Sequence, residues 1–176
     1  HLYAHAELET LLRPWLNFFC KGIAYEVVIH ALPTDEASHL LYEDRSVEVY
    51  SLPLRHRVPS CGFLFREKAP LPHIRRDMID YLEIPYYAIN SIKQGADWTT
   101  ADGRVVPNRE LVFPAERGRS YAYCSDTCYQ PQLIPLLRGV DVLYHEATFG
   151  QDNLPRAIET LHSTAAQAAS LAKAAG

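Results

Sequence analysis

The 176-residue sequence has no apolar run approaching the roughly 18 residues that a membrane-spanning helix needs. Its first residues, His1-Leu2-Tyr3-Ala4-His5, carry neither the basic region nor the apolar core of a secretory signal. These two absences argue against a membrane-spanning or secreted chain and point to a cytoplasmic one. The four cysteines, Cys20, Cys61, Cys124 and Cys128, are unevenly spaced and form no paired CxxC knuckles. Neither a disulfide framework nor a thiolate zinc site is expected from them. Internal repeats and low-complexity tracts are also missing. There is no excess of basic charge: the net charge is −4 and the pI is near 6.1, which argues against a nucleic-acid partner unless positive charge is locally concentrated. What is present is 48% apolar and 22% charged residues, the composition of a globular domain with a real core, read here as a single domain over residues 1–176. The first residue is not Met, and Ala174-Ala175-Gly176 stops in what reads as a helix-to-strand connection, so the expectation is a partial domain.

Leu8, Leu11, Leu12, Trp15, Leu16 and Phe19 recur at three-and-four spacing, predicting a helix over Ala6–Phe19, bent at Pro14 and stopped by Gly22. Strands are predicted over Tyr25–Ala31, Val47–Leu54 and Cys61–Phe65. Residues 67–119 change character: Pro70, Pro72, Pro85, Pro107 and Pro114 punctuate them around one predicted helix, His73–Leu82. That stretch reads as an inserted arm. Beyond it come a strand at Ser120–Cys124, a helix at Gln132–Leu137 and a strand at Val140–Tyr144. Thr164-Ala165-Ala166-Gln167 then forms a capping box opening an alanine-rich helix. Strand, polar residue, loop and helix alternate three times, an α/β pattern.

His56, Asp126 and the pair His145-Glu146 each fall just past a predicted strand's carboxyl end, the edge where layered α/β architectures build their sites. Imidazole and carboxylate suit zinc. Each residue also has a plainer reading. His56 is satisfied as an ordinary hydrogen-bonded loop histidine, Asp126 as a helix cap or Asx-turn, and His145-Glu146 as a tie between strand and loop. His162 precedes a helix start, where free N–H groups and the helix dipole favour an anion.

Four stretches, in order, resemble the ribonuclease Z family of the metallo-β-lactamase superfamily. They are Leu54-Arg55-His56-Arg57-Val58-Pro59-Ser60-Cys61-Gly62-Phe63, Tyr123-Cys124-Ser125-Asp126-Thr127, the HEAT sequence His145-Glu146-Ala147-Thr148 and the HST sequence His162-Ser163-Thr164. Ala101-Asp102-Gly103-Arg104-Val105-Val106-Pro107 extends the likeness into the arm. The resemblance implies part of a metallo-β-lactamase αβ/βα sandwich with an inserted substrate-binding arm. It also implies zinc-dependent removal of the 3′ trailer of precursor tRNA by metal-activated water. His56 would be a ligand of one zinc and Asp126 the carboxylate bridging two, a pair that clamps the attacking and leaving oxygens. His162 would contact the scissile phosphate and protonate the leaving oxygen. Glu146 would orient an imidazole, and His145 is placed with them as a catalytic candidate. Lys93, Arg104, Arg75 and Arg76, set among Tyr81, Tyr86, Tyr87 and Trp98, are the expected tRNA contacts. Interspersed acids such as Asp77, Asp80 and Glu83 fit a solvated mixed surface almost as well.

The sequence departs from the family pattern in lacking the H-x-H-x-D-H cluster, and a final G-H-F-S-type ligand would fall beyond Gly176. With two of the expected ligands, the chain should neither hold two zincs tightly nor cleave RNA alone. Absent preceding strands would leave Val47–Leu54 and Cys61–Phe65 with open edges, so exposed apolar surface or a homodimer is expected. The alternatives are another phosphodiesterase of the same fold, or an inactive piece acting only as an RNA-binding or interaction module.

Overall fold

A computed structural model describes residues 1–176. Two compact units divide the chain, one comprising His1–Glu67 with Arg119–Gly176 and the other Lys68–Gly118.

In the first unit a short strand, β1 (Leu2–Ala4), precedes α1 (Ala6–Phe19), whose bounds match the sequence periodicity. Pro14 lies inside α1, and no residue of this helix is buried. The expected strand at Tyr25–Ala31 is confined to β2 (Ile29–Ala31), which pairs in parallel with the three residues of β1. Next come β3 (Leu40–Glu43), β4 (Val47–Pro53) and β5 (Cys61–Glu67). Open edges on β4 and β5 are not what the structure shows. β4 pairs with β3 on one side and β5 on the other, and β5 also pairs with a later strand. The four residues of β3 are too few for a clear alternation, so this covering strand has no sequence signal.

In the second unit, β6 (His73–Ile74) is followed by α2 (Arg76–Tyr81), α3 (Tyr86–Lys93), β7 (Trp98–Thr99), β8 (Val105–Val106), α4 (Asn108–Leu111) and β9 (Val112–Phe113). The helix expected at His73–Leu82 is shorter because His73 and Ile74 pair with Phe113 and Val112. The prolines punctuate this unit without preventing a core: Ile84, Ala88, Ile92, Val106 and Leu111 are buried together. Pro85 caps α3 and Pro107 caps α4, positions where a missing N–H costs nothing.

The first unit resumes with β10 (Ser120–Cys124), then a 3₁₀ turn (Pro131–Leu133) running into α5 (Ile134–Leu137), where a single helix was expected. β11 (Val142–His145) starts two residues later than expected, because Gly139 takes a left-handed turn (φ 69°) after α5. A second 3₁₀ turn (Gln151–Asn153) leads into α6 (Leu154–Thr160), and α7 (Ala165–Ala175) begins at the expected capping box.

The main sheet runs β11-β10-β5-β4-β3, with β10 and β11 parallel and the other pairs antiparallel. On one face Leu52, Leu64, Ala122 and Cys124 pack with Leu133, Leu137, Leu171 and Ala175 of the covering helical segments. Burial of this kind stabilises by about 1.5–3 kcal/mol per large aliphatic side chain. Burial also pushes the Cys124 thiol up to about 12, and all four cysteines are unpaired. The other face carries Phe65 stacked on Tyr121 and Tyr123 stacked on Tyr144, with Phe65, Tyr121 and Tyr144 exposed. No helix is long and apolar enough to cross a membrane.

Candidate active site

The carboxyl ends of β4, β10 and β11 lie in neighbouring positions of the main sheet, since β5 alone separates β4 from β10. Parallel pairing sets Cys124 opposite His145. The next residue, Glu146, donates its backbone N–H to the Cys124 carbonyl at 3.1 Å. The pairing therefore carries the β11 exit onto the loop that follows β10.

Glu146 is the hub. Its side chain is 7% exposed, yet it accepts from five donors. Oε1 receives the backbone N–H of Thr127 (3.1 Å), that of Ser163 (3.2 Å) and His162 Nδ1 (2.7 Å). Oε2 receives the backbone N–H and hydroxyl of Thr148, at 3.0 and 2.9 Å. Burial alone raises its pKa, but these hydrogen bonds to the charged form outweigh it, and the net shift is downward. A buried carboxylate so surrounded stays ionised and fixes its neighbours.

His162 is thereby oriented. Its Nδ1–H points at Glu146, so in the neutral ring Nε2 is the bare nitrogen, and that atom lies 3.2 Å from Nε2 of His56. His162 reaches this position through Leu161, which adopts the left-handed conformation (φ 57°, ψ 42°) at the end of α6. A non-glycine residue there costs on the order of 1 kcal/mol. The Asp126 carboxylate is exposed, and donor atoms of Asp126, Glu146 and His162 all lie within 4.8 Å of one another.

Of the sequence candidates, the structure gathers His56, Asp126, Glu146 and His162. His145 differs: its Nδ1 bonds the Glu146 carbonyl at 2.7 Å, while its Nε2 is buried without a partner. Arg75 pairs with Asp77 at 2.8 Å and lies 5.7 Å from the centre of the Phe113 ring. Arg76 and Arg104 are exposed and Lys93 is half-buried. These four belong to the Lys68–Gly118 unit.

Sequence reasoning gave no role to Thr127, Thr148 or Ser163, although all three stand inside the quoted motifs. Their only signal was a small hydroxyl residue close behind each proposed functional group.

The donor chemistry fits zinc in kind. Imidazole and carboxylate are its usual nitrogen and oxygen ligands. The donors fall short in number, because Glu146 already spends its lone pairs on five hydrogen bonds. His56 and Asp126 remain as candidate ligands, with Nε2 of His162 beside them.

No family model matches the sequence. The structure is similar to the crystal structure of human tRNase Z, short form, with a TM-score of 0.61 and 20% identity, covering 98% of this chain and 55% of that one. The fold is thus that of the metallo-β-lactamase class, with the helix-covered mixed sheet as one αβ layer pair. The sequence is 53% identical over 175 residues to a Ribonuclease Z of Phocaeicola vulgatus, covering 99% of this chain and 56% of that protein. It is 51% identical to one of Bacteroides fragilis and 45% identical to one of Porphyromonas gingivalis, covering 100% of this chain and 58% of each. The chain belongs to the ribonuclease Z family. It spans somewhat over half the length of the curated relatives it matches.

Proposed function

We propose that the protein containing this chain is a zinc-dependent endoribonuclease that removes the 3′ trailer of precursor tRNA. The observation that carries this reading is the Glu146–His162 pair, held at 2.7 Å beside His56 and Asp126. A ring fixed by an ionised carboxylate, with its other nitrogen bare, can hold a proton at Nε2 and deliver it to a leaving oxygen. As water bonds to phosphorus and the phosphorus–oxygen bond to the leaving ribose breaks, that proton neutralises the departing alkoxide. The adjacent Glu146 charge stabilises the cationic ring before transfer. His56 and Asp126 are the residues of this chain that would hold zinc. Zinc held there would supply polarisation of a phosphate oxygen and acidification of the attacking water.

His145 supports the site indirectly in this reading, through its bond to the Glu146 backbone. Lys93, Arg104, Arg75 and Arg76 are proposed as tRNA contacts, with Arg75 already partly engaged by Asp77. A cytoplasmic setting suits the unpaired thiols. A homodimer suits α1, where Leu11, Trp15, Phe18 and Phe19 are each about two-thirds exposed.

The test uses the native protein that contains this sequence, assayed on precursor tRNA. His162→Ala should lower kcat by roughly 100-fold or more with KM little changed, the pattern of a group acting on the leaving oxygen. Equal losses in kcat and affinity would remove the proton-donor role, and absence of zinc from the active protein would remove the metal.

A further inference from the structure

Thr127 and Ser163 are both fully buried, and each directly follows a proposed functional residue, Asp126 and His162. The Ser163 hydroxyl donates to the Thr127 carbonyl at 2.8 Å. The hydroxyl of Thr127 receives the backbone N–H of Arg55 at 3.1 Å and Nε2 of Gln130 at 2.9 Å. Arg55 in turn directly precedes His56, and its carbonyl receives the Cys128 N–H at 2.9 Å. Three loops distant in sequence are therefore tied together one residue away from three site groups. Apart from the Gln130 amide, the ties join backbone groups directly or through short, fully buried hydroxyl side chains, which leaves them little freedom.

We infer that Ser163 is a positioning residue for His162, acting through its hydroxyl bond to the Thr127 carbonyl. Glu146 fixes the direction of the His162 ring and bridges the Thr127 and Ser163 N–H groups with one oxygen, but it ties the two loops only through itself. The Ser163–Thr127 bond is the direct contact between the two loops and, with that bridge, fixes their separation. It places the bare Nε2 of His162 at a fixed distance from the Asp126 loop and, through Thr127 and Arg55, from His56. An error of about 1 Å in such placement costs on the order of 100-fold in rate. The inference rests on the reading of His162 as donor of a proton to the leaving oxygen.

The experiment compares two substrates in the native protein: precursor tRNA, whose alkoxide leaving group needs a proton, and an aryl phosphodiester, whose nitrophenolate leaves without one. Ser163→Ala should lower kcat on tRNA by about 100-fold, leave KM within about twofold, and leave aryl diester turnover within about threefold. His162→Ala with Ser163→Ala together should be no slower on tRNA than His162→Ala alone. Unchanged tRNA turnover, a parallel loss on both substrates, or additive losses in the double variant would each overturn the role. If Ser163→Ala does not melt cooperatively, Ser163→Cys keeps a weak donor at the same position. Its aryl-to-tRNA rate ratio should rise above wild type, and an unchanged ratio overturns the inference. A wild-type protein that cleaves the aryl diester but not precursor tRNA would instead overturn the functional reading itself, before any variant is compared.

Discussion

The Nε2 atoms of His56 and His162 face each other at 3.2 Å. His162 presents a bare nitrogen there, because its proton is committed to Glu146 at Nδ1. His56 therefore supplies the hydrogen, and its own Nδ1 accepts from the Val58 N–H at 3.4 Å. A zinc ion held by His56 Nε2 must displace that hydrogen, so metal binding and the His–His contact compete.

Zinc affinity follows from this competition. Two ligands plus a displaced hydrogen bond fall well short of the four protein ligands that give structural zinc about 10–16 kcal/mol. The 176-residue chain should bind zinc more weakly than about 1 µM, or roughly 8 kcal/mol, and His56→Ala and Asp126→Ala should each abolish what binding there is. Calorimetric titration reads both effects. A nanomolar isotherm that survives both substitutions would place the metal elsewhere.

Glu146→Gln keeps the size of the hub and removes its charge. Five donors converge on two carboxylate oxygens, whereas the amide has one oxygen and an NH2 group that must face a donor. Leaving such buried groups unpaired costs about 1–3 kcal/mol, which in a domain of this size lowers Tm by roughly 2–4 °C per kcal/mol. Thermal melts should show that loss, and nitrogen NMR of His162 should show the Nδ1 proton no longer fixed. An unchanged melt would mean the hub does not hold the loops.

The same carboxylate sets a pH dependence. Its folded pKa lies below the ordinary 4.5. The stability it contributes is therefore complete above that value and is lost as pH falls through the lower folded value. Denaturant midpoints measured as the pH falls below about 5 should decline in wild type and decline less steeply in Glu146→Gln. Parallel curves would assign the acid sensitivity to other carboxylates, such as Asp44, which three hydrogen bonds from Ser46 and Val47 hold at about 2.

Legibility in the sequence followed the reach of each signal. α1 and the capping box of α7 were readable to the residue because periodicity and capping are local. The strand ends ahead of His56 and Asp126 were readable to within a residue, because strand composition is also a local signal. β3, β6 and α3 left little trace: strands of four and two residues show no clear alternation, β6 pairs with the distant Val112 and Phe113, and α3 behind Pro85 is one short helix among the prolines of the arm. Thr127 and Ser163 were invisible as linkers because their bonds cross 36 residues of chain. A hydroxyl residue has the same sequence signature whether or not it makes such a bond.

Gly62 joins the sheet to the site through sterics. It lies in the middle of the main sheet, where a glycine is normally a weakness. A Cβ there would sit 2.6 Å from the Tyr123 carbonyl oxygen, 3.2 Å from Leu52 Cβ and 3.3 Å from Leu54 Cδ1. The nearest of these is backbone on β10, so the clash cannot be relieved by rotating a side chain. β10 must move, and three residues beyond Tyr123 it delivers Asp126. Gly62→Ala should therefore destabilise by about 1–3 kcal/mol and weaken zinc binding as well. Gly103→Ala is the control: Gly103 has a left-handed φ of 84° but nothing within 4 Å, so its cost is conformational, about 1 kcal/mol, and leaves the metal site alone. Melting curves and zinc titrations of the two variants separate the effects. Equal melts with equal zinc binding would show that β10 accommodates the methyl group and that the close approach at Gly62 does not hold Asp126 in place.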